Sequence, residues 1–139
     1  MSRSGYSDDI DDEWALIRYR GAVASAVRGK RGQAFLREML AALDALPEPK
    51  LIAEDLERGG EVCAIGAVGR ARNVDMTDLD PEDPERVATV FNIADCLVRE
   101  IVYMNDEMGP YKQTDAERFT RVRAWVVSKL AKAEATPDV

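Results

Sequence analysis

Histidine is absent from this 139-residue chain. Its absence removes the Ser-His and Cys-His nucleophile systems and any metal site that needs an imidazole. Cysteine is nearly absent as well. Cys63 and Cys96 stand 33 positions apart without C-x-x-C spacing, so neither a zinc knuckle nor a dithiol redox pair is expected, and a structural disulfide is not expected either. No apolar run approaches the ~20 residues that span a bilayer, and the opening MSRSGYSDDIDDE has no apolar h-region. The expected setting is therefore the reducing cytoplasm, with no membrane partner. Positive charge is in deficit, with 19 basic against 26 acidic residues and a net charge of −7, so the overall field repels phosphate backbones. There is no P-loop G-x-x-x-x-G-K-[ST], no repeat at solenoid period and no low-complexity tract. Nothing implies a cofactor or a bound metal.

What remains is a balanced globular composition, 46% hydrophobic and 32% charged, which supports a buried core beneath a solvated surface. The length fits one domain. The reading is a flexible acidic segment over residues 1–12, a single helical domain over 13–132 and a C-terminal tail over 133–139. The expected fold is mainly α, a compact bundle of about five helices with at most one short two-stranded element.

Hydrophobic periodicity carries that expectation. A first helix is predicted from about Asp9 to Arg28, with Ile10, Trp14, Ile17, Gly21 and Ala24 facing the core and Leu16, Val23 and Val27 widening the stripe. The turn Gly29-Lys30-Arg31-Gly32 ends it. A second helix over Gln33 to Leu46 uses Phe35, Leu36, Met39, Leu40 and Leu43, and Pro47 stops it. Residues 50–57 read equally as strand or helix before Gly59-Gly60. A third helix is predicted over Glu61 to Arg72, rich in small residues. A fourth runs from Pro84, capped by Asp83, to Asp106, with Asn92 as a point of interruption. Thr114-Asp115-Ala116-Glu117 resembles a capping box for a last helix reaching about Lys132, with Phe119, Val122, Trp125, Val126 and Leu130 on its apolar face.

The charge pattern supplies the candidate binding residues. Between Arg18 and Arg37 there are six basic residues and no acidic one, and between Asp75 and Glu85 six acidic residues and no basic one. Arg18, Arg20, Arg28, Lys30 and Arg31 could present charge to a phosphate, the last two from a glycine-flexed turn ahead of a helix. The alternative is that Gly29 caps a helix whose negative end the cations offset. Asp75, Asp78, Asp80 and Glu82 could recruit a hard cation, but counting an EF-hand loop from Asp78 puts Asp83 and Thr89 where glycine and glutamate are required. A solvated, proline-punctuated linker is the competing reading. Gly66-Ala67-Val68-Gly69 has the G-x-x-G form of a KH clamp, although packing of a small-residue helix explains it equally. Asn105 and Asp106, with Glu107, Tyr103 and Tyr111 close in sequence, are the most concentrated polar group, and either a paired-carboxylate site or a hydrogen-bonded helix end fits them.

Val62-Cys63-Ala64-Ile65-Gly66-Ala67, then Asn105-Asp106, then Thr114-Asp115-Ala116-Glu117 together resemble a group of small uncharacterised proteins of phages, prophages and actinobacteria. These share a Cys-Ala-x-Gly-Ala helix, a later Asn-Asp and a Thr-initiated last helix. The likeness runs from about Trp14 to Leu130 and departs at Met104, where an aromatic often stands. It implies a viral setting, in which small acidic proteins commonly act by binding host machinery, anti-CRISPR inhibitors among them.

The expected function is therefore a non-enzymatic protein-binding module, an inhibitor or modulator of a host nucleic-acid-handling or defence complex. The alternative is a nucleic-acid or nucleotide-phosphate binder acting through residues 18–37, and a third is a carboxylate enzyme using Asp106 or Glu107. Self-association into a homodimer is expected as well, because separate acidic and basic blocks can pair across a two-fold axis.

Overall fold

The structure is a computed structural model and describes residues 13–110 and 112–130. It is mainly helical. Its elements are α1 (Glu13–Arg28), α2 (Lys30–Asp44), a hairpin of β1 (Glu57–Arg58) and β2 (Glu61–Val62), α3 (Ala64–Arg72), α4 (Pro84–Phe91), α5 (Asp95–Asp106) and α6 (Asp115–Lys129). The expectations for residues 1–12 and 133–139 lie outside the described residues, as does Tyr111.

α2 and α5 form the centre of the packing. α2 meets α1, α3 and α6, and α5 meets α1, α3, α4 and α6. Leu36, Met39 and Leu43 of α2 join Ile65 and Val68 of α3, Val87 and Phe91 of α4, Leu97, Val98 and Ile101 of α5, and Val122 and Val126 of α6 in one core. Leu51, Ile52 and Leu56, from the stretch before the hairpin, are also buried there or against it. That stretch is neither helix nor strand: residues 53–56 bend, with Glu54 at φ 79°, and strand begins only at Glu57. Gly59 and Gly60 turn the hairpin at φ 61° and 85°, the pair of positive angles that a tight two-residue hairpin needs, and Glu57 pairs with Val62 across it.

Five boundaries differ from expectation, among them the end of α6, which stops at Lys129 rather than near Lys132 because Leu130 is extended at ψ 139°; the other four have local reasons too. The basic turn reduces to Gly29 alone, because its N–H bonds to Ser25 O at 3.0 Å while its carbonyl accepts from Gln33 N at 2.9 Å. α1 thus ends and α2 begins on one residue, and Lys30, Arg31 and Gly32 are helical. Glu61 and Val62 are strand, since Cys63 N–H bonds back to Leu56 O and its Sγ accepts from Gly66 N at 3.4 Å as the cap of α3. The predicted helix 84–106 is two helices, because Asn92 caps α4 in the left-handed region at φ 60°, a conformation asparagine tolerates. α2 stops at Asp44 rather than Leu46.

The caps at Asp83 and Thr114 form as the sequence predicts. Asp83 accepts from Arg86 N. Thr114 and Glu117 exchange both bonds of the capping box, at 2.8 and 3.1 Å. Outside the core, Arg72 clamps α3 to its neighbours: it grips Glu38 with two nitrogens at 2.6 and 2.7 Å and stacks over the Phe35 and Phe91 rings.

The largest departure concerns which way α1 faces. Val23 and Val27 are its buried residues, with Tyr19 and Ala26 packed partly against the core. Trp14 and Ile17, expected inside, are 69% and 52% exposed, and Gly21 and Ala24 on the same stripe are exposed too. Ile10 lies outside the described residues. α1 carries two apolar stripes, and the one built around Val23 and Val27 is the one that meets α2 and α5.

Candidate functional site

The solvent-facing side of α1 is set by its own spacing. Trp14, Ile17, Gly21 and Ala24 follow at intervals of three, four and three, the narrow seam of a helix that pairs with another helix rather than the broad stripe of one lying on a core. Glu13 and Arg20 flank it on one side and Arg18 on the other, all exposed. Among the described residues, the other large exposed hydrophobics, Val90, Met108 and Val127, stand singly on α4, after α5 and on α6.

Beside this seam, α1, α5 and α6 enclose a cleft of about 420 Å³. Val23, Val27, Trp125 and Leu130 supply its apolar lining, with Arg20, Arg28, Lys129 and Glu100 around them. Both α1 and α6 end at this cleft. Gln33 ties those ends together, donating from one amide nitrogen to Val27 O at 2.7 Å and Lys129 O at 2.9 Å. Arg28 and Lys129 therefore stand where two helix ends concentrate partial negative charge, and part of their positive potential is spent there.

The basic candidates do not converge. Arg18 lies on the outer face of α1, Arg20 and Arg28 line the cleft, and Lys30 and Arg31 line a separate hollow of about 210 Å³ near the start of α5. Arg31 reaches Asn92 Oδ1 at 3.4 Å. Gly32 serves packing rather than anion binding, since a Cβ there would run into the Ala26 carbonyl. The same holds for Gly66, whose Cβ would meet the Leu56 carbonyl. Gly66 and Gly69 are buried inside α3, so neither belongs to an exposed clamp loop.

The acidic candidates are occupied locally. Asp75 Oδ1 accepts from the Thr77 hydroxyl at 2.6 Å and the Thr77 N–H at 3.0 Å, bonds that hold its carboxyl below the usual range. Asp80 Oδ1 accepts from Glu82 N at 2.8 Å, while Asp78 and Glu82 are exposed. Among the described residues, no three Cys, Asp or Glu side chains come together as a metal site would require.

Asn105 and Asp106 sit at a structural hub. Asn105 is 1% exposed. Its Oδ1 accepts the Ala64 N–H at 3.1 Å, at the start of α3, and its Nδ2 donates to Ile52 O at 2.9 Å and Asp106 Oδ1 at 2.7 Å. Two arginines of α6 then cover the end of α5. Arg118 donates to Asn105 O at 3.1 Å and to Leu51 O at 2.9 Å, and Arg121 reaches Met104 O and Asn105 O. Cations on terminal carbonyls complement the helix dipole. Desolvation, reinforced by the neighbouring Arg118 charge, pulls the Arg121 pKa down. Cys63 lies close by, and burial, with Asp106 adding to it, pushes its thiol up to about 12 despite the Gly66 N–H bond. It is a neutral packing group at physiological pH.

Sequence reasoning missed the α1 seam, the Trp125 cleft and the Arg118–Arg121 clamp. The seam had a signal, its strict three-four spacing. The other two are assembled by tertiary packing of residues 13 or more positions apart and had none. No protein-family model matches the chain, and no curated protein or solved structure shows significant similarity to it.

Proposed function

We propose that this chain is a non-enzymatic protein-binding module that acts through the outer face of α1. The observation that supports this reading is the exposure of Trp14 and Ile17, 69% and 52%, in register with exposed Gly21 and Ala24 on one helix. Exposed apolar side chains aligned on one helix face mark an interaction surface, and rigid aromatics anchor protein interfaces. The further step to a host nucleic-acid-handling or defence complex, with Asp75, Asp78, Asp80 and Glu82 set against a basic groove, rests on the resemblance alone.

Affinity retention from a lysate, with and without nuclease and in parallel with the Ile17→Asp variant, tests the reading. Partners that survive nuclease and are lost with Ile17→Asp support it. Partners indifferent to Ile17→Asp and lost with nuclease refute it.

One observation favours the second reading, phosphate or nucleic-acid binding: Arg20, Arg28 and Lys129 border a cleft that also presents Trp125, a cation-and-aromatic pairing suited to stacking a base beside a phosphate. It ranks second because helix ends and Glu100 share that cleft and the net charge of −7 opposes any polyanion. Saturable binding of an oligonucleotide in fluorescence anisotropy, abolished by Arg20→Gln with Arg28→Gln, would reverse the order.

A further inference from the structure

We propose that the cleft between α1 and α6 binds a free mononucleotide, a planar base carrying a single phosphate monoester. This ligand sharpens the phosphate-binding alternative from polymer to monomer, and it requires nothing of the outer face of α1.

The walls of the cleft are fixed by the fold. α1 and α6 both pack on α2 and α5, and the cleft is the gap left between them. Buried Gln33 spans that gap at one end, bonding to the Val27 and Lys129 carbonyls at 2.7 and 2.9 Å. Walls set before binding spare a ligand part of the ordering cost. At about 420 Å³ the cleft falls within the size range of small-molecule sites, roughly 300–1,000 Å³. One ring system and its anionic group fit that space, whereas the successive nucleotides of a strand would lie outside it.

Charge names the anionic group. Arg20, Arg28 and Lys129 reach the cleft from two helices, and among the described residues none of them forms an ion pair. Elsewhere the cations are matched, Lys50 with Glu48 and Glu61, Arg72 with Glu38 and Arg123 with Asp44. A chain with 26 acidic residues thus leaves three cations unmatched on one concave surface. With Glu100 included, the lining carries a net charge of +2, which complements a phosphate monoester of about −1.5 to −2 near neutral pH. The helix ends temper Arg28 and Lys129. Arg20 stands about two turns before the end of α1, so no terminal carbonyl competes for it.

The apolar lining names the rest of the ligand. Val23 and Val27 are buried, and Trp125 adds a half-buried indole. An aromatic face beside cations stacks a base while its phosphate is held by charge-assisted bonds. A bare anion would leave the indole uncovered, and an uncharged ring would leave the three cations unmatched. The net charge of −7 then separates monomer from polymer, because every further phosphate of a strand meets the same repulsive field without a further cation in the cleft.

Isothermal titration calorimetry of the full chain at low salt tests this, with the 5′-monophosphates of adenosine, guanosine, cytidine and uridine set against the nucleosides, inorganic phosphate and a single-stranded oligonucleotide. At least one monophosphate should bind once per chain, about tenfold or more tighter than its nucleoside or inorganic phosphate alone. Arg20→Gln, at an exposed position and with its fold checked by circular dichroism, should weaken that binding about tenfold or more, the loss of one charge-assisted contact. Lys30→Gln, in a separate hollow, should leave it unchanged. In a Trp14→Phe chain the emission of Trp125 should change as the site fills. Four results would each overturn the proposal: no saturation by any monophosphate up to millimolar concentration, undiminished binding by Arg20→Gln, inorganic phosphate binding as tightly as the monophosphates, or tighter binding of the oligonucleotide, which would make a strand the ligand. Partner capture is read independently through Ile17→Asp, a change that should leave nucleotide binding intact, so either reading can fail without the other.

Discussion

Replacing Asn105 by alanine should be among the most destabilising single changes in the protein. The side chain completes the start of α3 through the Ala64 N–H and holds the Ile52 carbonyl, at 3.1 and 2.9 Å. Ala64 is fully buried and Ile52 is 2% exposed, so water cannot substitute. Each orphaned buried group costs about 1–3 kcal/mol, which puts the total at about 3–5 kcal/mol with the lost packing included, a large share of the 5–15 kcal/mol typical of a domain. With a urea m-value of about 1–3 kcal/mol per molar, the midpoint should fall by about 2 M at unchanged slope. Asn105→Asp separates hydrogen bonding from shape. Near neutral pH its carboxylate keeps the Ala64 bond but faces the Ile52 carbonyl and Asp106, so it should cost at least as much as alanine. Its folded pKa should lie above the unfolded ~3.9. The penalty is therefore absent below the unfolded value and full above the folded one, and acidification should narrow the gap to the parent. An Asn105→Ala protein within about 0.5 kcal/mol of the parent would refute the hub.

Gly32→Ala should destabilise by about 1–3 kcal/mol through overpacking against the Ala26 carbonyl, measured by thermal melting. Cys63 should resist thiol reagents in the native protein at neutral pH while the half-buried Cys96 reacts. Because the Cys63 thiol is raised from 9.0 to about 12, its effect on stability is nil below pH about 9 and becomes a loss as pH rises from there toward about 12, which alkaline unfolding curves can follow. Lys30→Gln with Arg31→Gln should leave both stability and oligonucleotide binding unchanged, since these side chains begin α2 and share no cleft with Arg20 and Arg28; anisotropy titration checks this.

How far the sequence carried the fold can be seen at particular residues. Asp83-Pro84 and Thr114-Glu117 encode their helix starts within three positions, and their caps form as read. The α2 stripe is legible because Phe35, Leu36, Met39 and Leu43 leave that helix only one apolar face. α1 has two, and local periodicity cannot say whether Trp14 and Ile17 or Val23 and Val27 meet the core, because the choice is made by α2 and α5. Gly29 needed one residue, not four, to end one helix and start the next, a matter of backbone angles that composition does not resolve. Asn105-Asp106 was visible as a polar concentration at a helix end. Its partners Ala64, Ile52 and Arg118 lie 13 to 53 positions away, so its role as a lock comes only from the packing.

Acrylamide quenching of Trp14, in a Trp125→Phe chain where it is the only indole, tests most directly whether the outer face of α1 is where a partner sits. Ready quenching is expected in dilute protein and marked protection with a captured partner bound, the protection lost with Ile17→Asp. Equal quenching under all three conditions, with association intact, would place the interface elsewhere and contradict it.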